Sequence, residues 1–176
     1  MSDLPTALHE AAHAAISVLC GAEVDRAEVF PPGVTLPDGA RGYCRYMPFG
    51  IETEQRKPLI WAAGAVAEAV LLHGRAPTRA QVDALLAVHG TDGEELQRLA
   101  FAAGTVPDPL AVLPLVLRAW PAISKLAVKL DIAGVIHHSD VTAALGLSKD
   151  KGRHGFELAN IRAGLRQVPA RGAAGR

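Results

Sequence analysis

Apolar residues fill the first stretch of the chain with the spacing of a buried helix. Residues 6–21 (TALHEAAHAAISVLCG) have apolar side chains on nearly every side of a 3.6-residue turn. Pro5 suits the first turn of a helix, and Gly21 suits the left-handed position just after its end. The pattern therefore predicts a helix that is packed inside the protein.

A looser alternation of apolar and polar residues follows and predicts two short strands. Residues 22–30 (AEVDRAEVF) and 40–48 (ARGYCRYMP) alternate with the two-residue period of a strand. The segment 31–40, rich in Pro and Gly, predicts a loop between them. We expect a small sheet beside the first helix, and an exposed edge of that sheet could accept an extended peptide by strand addition.

The rest of the chain has mainly helical periodicity. Residues 53–74 predict a buried helix, because the segment from Ile60 to Leu72 is apolar nearly all round. A short helix is predicted at 78–90, followed by one from Thr91 or Asp92 to about Ala103 with a capping box closed by Glu94 or Glu95. Two helices within 107–130 are predicted to meet near Trp120-Pro121. The last predicted helix is 139–146, with Ser139 as its N-cap. These elements predict an α+β fold that is predominantly α-helical.

Composition predicts one folded domain, because 176 residues with 49% hydrophobic content are enough for a sizeable core. We assign residues 1–147 to this domain. Residues 148–176 are basic and rich in Gly, and they predict a partly disordered tail with one short helix at 156–165. Eighteen basic residues balance 18 acidic ones and the aromatic fraction is 5%, so nucleic acid is an unlikely partner.

The apolar stretches and the cysteines indicate in which cellular compartment the protein is expected. No basic segment followed by an apolar stretch precedes the first helix, so we expect no secretory signal. Pro, Arg or Gly interrupts the apolar stretches before they reach the length of a membrane span, so we expect no membrane association. Cys20 and Cys44 are too few for a disulfide scaffold, and Cys20 is expected to pack in the core. These features predict a cytoplasmic protein.

The predicted first helix carries the pattern HExxH at His9, Glu10 and His13. Residues four apart lie one turn above each other, so the two imidazoles can bind one ion. Glu10 lies about 100° further round the helix, where its carboxylate can reach a water molecule at that ion. Zinc accepts such ligands and leaves a position for water, so we expect Zn²⁺ with Glu10 as general base. A chain with seven histidines would contain the pattern by chance only roughly 0.014 times.

Glu68 is the only charged residue in the apolar segment 60–72, and a buried carboxylate needs a partner. The free N–H of a metal-bound imidazole is one such partner, so we predict that Glu68 supports a metal ligand; pairing with an arginine or exposure to water is the alternative. The other histidines have weaker signals. His73 and His89 each precede a Gly at a helix end, where a histidine favours the helix dipole, and His89 is also a candidate for substrate contact.

The spacing around HExxH excludes one source of a third ligand. The extended pattern HExxHxxGxxH requires Gly and His where this chain has Ile16 and Leu19. A third ligand could also be a glutamate on a second helix downstream. Glu23 is too close to HExxH along the chain for this role, and Glu28 lies in a predicted strand.

Four segments, in the same order, resemble the peptidase domain of the FtsH-type ATP-dependent zinc proteases. TALHEAAHAAISVL resembles its HEAGHA helix, Gly42-Tyr43 resembles its GY strand, and GAVAEAVLLHG (64–74) resembles its GRAAEELIFG helix. GTDGEELQRLA (90–100) resembles GASNDLQRAT, in which the Asp is the third zinc ligand. The resemblance covers roughly residues 4–147. Ala12 stands where the family has Gly, and the 176 residues contain neither an AAA+ ATPase module nor its transmembrane segments.

The resemblance implies a zincin-like helical domain in which one Zn²⁺ is held by His9, His13 and an acidic residue of 90–100. Residue type favours Asp92 as that ligand, whereas counting back from Leu96 gives Glu95 and counting from Gly90 gives Glu94. We predict Asp92, with Glu95 as the alternative.

The implied function is a zinc-dependent endopeptidase. The alternative is a metal-binding or interaction protein of the same fold that has lost appreciable proteolysis. Expected partners are a peptide or unfolded-protein substrate, and a separate unfoldase or further copies of the chain.

Overall fold

A computed structural model describes residues 4–36, 39–48 and 50–170. Helices make up 66% of the protein, and a three-stranded antiparallel sheet accompanies them. This arrangement confirms the predicted α+β class with a helical majority. In chain order the elements are α1 (Leu4–Leu19), β1 (Glu23–Val29), β2 (Gly42–Met47), α2 (Gly50–His73), α3 (Arg79–Val88), α4 (Gly90–Ala103), α5 (Leu113–Ala133), β3 (Val135–Ile136), α6 (His138–Ala144) and α7 (His154–Ala163).

Helix α1 is the centre of the protein, as its apolar pattern predicts. Every residue from Ala7 to Leu19 is buried. Helices α2, α5, α6 and α7 and strands β1 and β2 all contact it. Many of the buried residues of α1 and α2 are alanines, and such short side chains let two helix axes approach closely. The HExxH residues are therefore fixed on the most enclosed element of the fold.

The sheet has the order β2-β1-β3, so β1 is its central strand. Ala27 of β1 lies opposite Cys44 on β2 and opposite Ile136 on β3. The sequence pattern predicts β1 and β2 but not β3, since two residues are too few to show a period. Among the described strands β2 pairs only with β1, which leaves its other edge free of strand pairing.

Helix α5 runs unbroken through Trp120 and Pro121, so the predicted division into two helices is wrong. A proline inside a helix costs about 3 kcal/mol. Ala119, Ala122 and Ile123 lie on either side of it and are all fully buried. Burial of one isoleucine side chain contributes roughly 1.5–3 kcal/mol, so packing along the whole helix outweighs the local penalty.

Two predicted helix caps are also wrong. Helix α4 begins at Gly90 with His89 at its N-cap position, two or three residues ahead of the predicted cap at Thr91 or Asp92. Helix α6 is capped by His137, whose partner in the capping box is Asp140, and Ser139 lies inside the first turn. In both helices the histidine at the N-cap also makes a tertiary contact, His89 with Glu68 and His137 with the carbonyl of Asp25.

Part of the segment after residue 147 packs against the core. Leu158 and Ile161 of α7 are buried, and Arg162 donates a hydrogen bond of 2.6 Å to the carbonyl of Leu19 at the end of α1. The short helix predicted at 156–165 is therefore present as α7 (His154–Ala163), and it contacts α1. Residues 171–176 lie outside the described part of the chain.

One helical stretch, Pro109–Ala133, is long and apolar enough to cross a membrane by length and composition, with a mean hydropathy of 1.5. Pro114, Arg118 and Pro121 interrupt this stretch. Of its most apolar window, 44% is buried inside the protein, and α5 packs along α1. A core helix passes the same test as a membrane span, so the stretch is weak support for membrane insertion.

Candidate metal centre

Three side-chain atoms from two helices converge at one point. His9 Nε2 and His13 Nε2 of α1 lie 2.9 Å apart. Asp92 Oδ2, from the first turn of α4, lies 3.0 Å from the former and 3.1 Å from the latter. His9 is 5% exposed and His13 and Asp92 are each 6% exposed, so most of their surface is buried in the protein. The structure thus brings together the three residues that the sequence analysis named as ligands.

The triangle has nearly the dimensions of one face of a tetrahedral zinc site. Zn–N and Zn–O bonds of 2.0–2.1 Å place neighbouring ligand atoms about 3.3 Å apart. The three sides found here are 2.9, 3.0 and 3.1 Å. A small outward movement of each side chain is enough to admit the ion, so the residues fit the metal that their chemistry implies.

The outer nitrogens of both imidazoles are already engaged. His13 Nδ1 donates a hydrogen bond of 2.8 Å to the carbonyl of Ile60. Because a carbonyl oxygen only accepts, the Nδ1 of His13 carries the proton and its Nε2 presents a lone pair. His9 Nδ1 donates to Glu68 Oε1 at 2.6 Å. Partners of this kind fix the ring orientation of metal-binding histidines.

Gly64 gives the two imidazoles their space. A Cβ at position 64 would lie 2.6 Å from His13 Nε2 and closer still to the His9 ring. Any side chain there would push into the region between the rings. The position of α2 that faces the two histidines therefore has to be a glycine.

Glu10 lies beside the triangle under strand β2. A Cβ at Gly42 would come within 2.9 Å of Glu10 Cγ, so the strand can pass over this carboxylate only with a glycine. Glu10 is 7% exposed, and burial raises its pKa above the ordinary glutamate value. A carboxylate with a raised pKa is better able to accept a proton near neutral pH.

Helix α4 brings Asp92 to the histidines through a tight junction with α3. The N–H groups of Asp92 and Gly93 donate to the carbonyl of His89 at 3.1 and 3.3 Å. A Cβ at Gly93 would lie 2.9 Å from the carbonyl of Leu86, so this glycine permits close contact with α3. Asp92 does not cap its helix, because its carboxylate faces His9 and His13 instead.

Glu95, the alternative third ligand, is not one of the converging residues. Its carboxylate pairs with Arg98, whose Nε lies 2.9 Å from Glu95 Oε2. Glu94 is exposed on the rim of the cleft described below.

Glu68 has two histidine partners. The oxygen that accepts from His9 also accepts from His89 Nε2, at 2.7 Å. Burial raises the pKa of Glu68, but hydrogen bonds from His89 and His9 outweigh that effect and lower the pKa to about 2. Glu68 therefore stays ionised, and an arginine is not its partner. The partnership with His89 was not predicted, because His89 precedes a Gly and has the pattern of a helix end.

Negative charge surrounds His9. Burial lowers its pKa, but hydrogen bonds to Asp92 and Glu68 and the nearby charge of Glu10 outweigh burial and raise the pKa to about 10. Burial likewise raises the pKa of Asp92, while His13 and His9 bring it well below the ordinary aspartate value. Surroundings that hold an extra proton on a buried imidazole also favour a cation there.

The triangle opens into a cleft of about 590 Å³. One wall comes from the loop and strand of residues 39–46, and the other from Trp61 of α2 and residues 88–92. Tyr46 and Trp61 contact edge to face, with ring centroids 6.5 Å apart. Cys44 also lines the cleft with a free thiol, whereas Cys20 is buried in the core as expected. Substrate-sized molecules can thus reach the three convergent atoms.

Comparison of the chain with models of known protein families, with curated proteins and with solved structures found no match.

Proposed function

We propose that this chain is a zinc-dependent endopeptidase with a zincin-like fold. The observation that carries the proposal is the convergence of His9 Nε2, His13 Nε2 and Asp92 Oδ2, with Glu10 beside them in an open cleft. Further support comes from the position of HExxH on a helix next to a small antiparallel sheet. The sequence resemblance to the FtsH-type peptidase domain gives the same function.

The donor set favours zinc over other ions. Two imidazoles and one carboxylate leave a fourth tetrahedral position, which is the composition of a catalytic rather than a structural zinc site. Calcium and magnesium prefer six or more oxygen ligands, which this triangle does not offer. When bound, zinc would polarise the scissile carbonyl and acidify a water molecule.

The residues of this chain would then handle the protons. Glu10 would accept a proton from the attacking water and later donate it to the leaving amine. Its burial suits both steps, since the raised pKa makes the protonated form accessible. Glu68 would keep the His9 ring in the tautomer whose Nε2 faces the ion.

A substrate would lie extended across the cleft. The unpaired edge of β2 could bind it by strand addition, which places a peptide bond near Glu10. Only flexible segments or unfolded chains can adopt such a conformation. Folded substrates would require a separate unfoldase or a homo-oligomer that feeds them to the cleft.

Glu10→Gln tests the proposal. The variant keeps the shape of the side chain and removes the base, so we expect the protein to retain one zinc ion per chain and to cleave an unstructured protein such as casein at least 100-fold more slowly. Metal content is measured by mass spectrometry after purification without chelator, and cleavage by gel electrophoresis. Glu54→Gln, on the exposed start of α2, is the matched control.

Two results would contradict the proposal. Cleavage that persists in Glu10→Gln would exclude Glu10 as the base. A wild-type protein that binds zinc but cleaves nothing would support the alternative function, a metal-binding or interaction protein of the same fold.

A further inference from the structure

His89 connects the two helices that lie on either side of it. Its backbone N–H donates to the carbonyl of Leu85 at the end of α3, at 2.9 Å. Its own carbonyl accepts from Asp92 and Gly93 at the start of α4. The backbone of His89 thus holds the turn that presents Asp92.

The side chain of His89 reaches the other side of the candidate metal centre. Its Nε2 lies 2.7 Å from Glu68 Oε1, the oxygen that also accepts from His9 Nδ1 at 2.6 Å. The rings of His9 and His89 lie 4.2 Å apart between centroids, at an angle of 40°. One residue is therefore bonded to the third ligand through its backbone and to the first ligand through Glu68.

The side chains of His9, Glu68 and His89 could also be considered as the ligands of a second metal ion. Two ligands of one tetrahedral zinc ion lie about 3.3 Å apart. The separations of 2.6 and 2.7 Å from Glu68 Oε1 are instead those of charge-assisted hydrogen bonds. His9 would also have to lose its Nδ1 proton to bind an ion on both sides. A hydrogen-bonded link explains the geometry with fewer changes.

We propose that His89 is a positioning residue that fixes the distance between Asp92 and His9 by holding Glu68. This inference rests on the proposed metal site. The ion needs both ligands at the correct separation, and they come from helices far apart in the sequence. His89 makes Glu68 a common anchor for α1, α2 and the α3–α4 junction. Its N–H donor, rather than its capacity to bind substrate, is the required feature.

The consequence is a specific pattern of metal affinities. Loss of a partner that supports a metal ligand weakens metal binding about 10–100-fold. We expect His89→Ala to weaken Co²⁺ binding by about 10-fold or more. His89→Gln, which can place an N–H near the position of Nε2, should stay within about 3-fold of the wild-type protein.

Co²⁺ alone is the probe, titrated into the chelator-treated full chain and followed by its visible absorption. His73→Ala is the matched control, because His73 also precedes a Gly at a helix end but is exposed and outside the site. Far-UV circular dichroism of each metal-free variant checks that it is folded.

A double-mutant cycle tests whether His89 acts through Glu68. In a Glu68→Ala background, His89→Ala should cause no further loss of affinity. An independent loss there, a His89→Gln variant as weak as His89→Ala, or an unchanged His89→Ala variant would each overturn the proposal. A change in KM for peptide without a change in Co²⁺ affinity would make His89 a substrate contact instead.

The experiment separates this inference from the proposed function. Wild-type protein that binds no Co²⁺ would overturn the metal site and the role of His89 together. Co²⁺ binding that is insensitive to His89→Ala would overturn the role of His89 alone. Co²⁺ binding with the expected pattern but without peptide cleavage would leave His89 as a positioning residue and remove the peptidase function.

Discussion

The candidate metal centre joins two regions of very different construction. Helix α1 supplies His9 and His13 from a regular helix that is buried from Ala7 to Leu19, where the four-residue spacing sets their mutual position. The α3–α4 junction supplies Asp92 from the first turn of α4, with exposed residues close by. The first region is therefore fixed by the core, whereas the second is fixed by a few hydrogen bonds. The distance between Asp92 and the two histidines therefore depends mainly on the hydrogen bonds of the α3–α4 junction.

The largest expected effect separates the two acidic candidates at the junction. Asp92→Ala should weaken zinc binding by more than the 10–100-fold typical of indirect partners, because it removes a ligand. Glu95→Ala should leave zinc affinity unchanged, since its carboxylate pairs with Arg98. Competition with a colorimetric chelator measures both. The opposite order of effects would show that α4 presents a different face to the histidines.

A second test compares glycines of the two regions. Gly64→Ala should destabilise the protein by about 1–3 kcal/mol, because the new methyl group collides with both imidazoles. Gly90→Ala, at the start of α4, meets no atom within 4 Å and should be neutral or slightly stabilising. Urea denaturation of the metal-free variants measures the difference. Equal stabilities would mean that α1 and α2 can move apart at little cost.

The third effect is a pH dependence of the metal-free protein. The pKa of His9 is about 10 in the folded state and about 6.5 in the unfolded chain, so the folded state binds more protons between these values. The stability from this proton is complete below pH 6.5 and is lost as pH rises towards 10. The free energy of unfolding should fall by on the order of 1 kcal/mol per pH unit in that window.

The matched control for this effect is His9→Ala. Its unfolding free energy, measured in chelator across the same pH range, should lack the decline. Zinc binding to the wild-type protein should instead strengthen as pH rises, because the ion displaces the proton from His9. A metal-free protein whose stability is flat from pH 6.5 to 10 would show that Asp92 and Glu68 do not hold that proton.

The same contrast explains what could be predicted from the sequence. The positions of His9, Glu10 and His13 follow from helix geometry, and the apolar segment around Glu68 indicated that this carboxylate needs a buried partner. The resemblance and the residue type directed attention to Asp92. All of these residues meet at the site. The sequence gives no such signal for His89, because its role depends on how α2 packs against the α3–α4 junction.

Errors in the fold have the same physical origin. Pro121 and Ser139 have strong local preferences, to break a helix and to cap one, but tertiary packing overrides both. Residues 148–176 have a basic, Gly-rich composition that predicts a partly disordered tail with one short helix, and Leu158 and Ile161 bury one face of that helix, α7. Local propensity therefore predicts the elements correctly where it agrees with a long apolar period. It fails where the prediction of a helix end rests on a single residue.

Gly64 has a consequence for related chains. Two imidazoles on one helix need empty space on the facing helix. Only a glycine, which has no side chain, leaves that space. A chain that keeps HExxH but has acquired a side chain at the position of Gly64 should have no room for the ion. The identity of this one residue could thus divide homologues with an intact metal centre from those that retain only the motif.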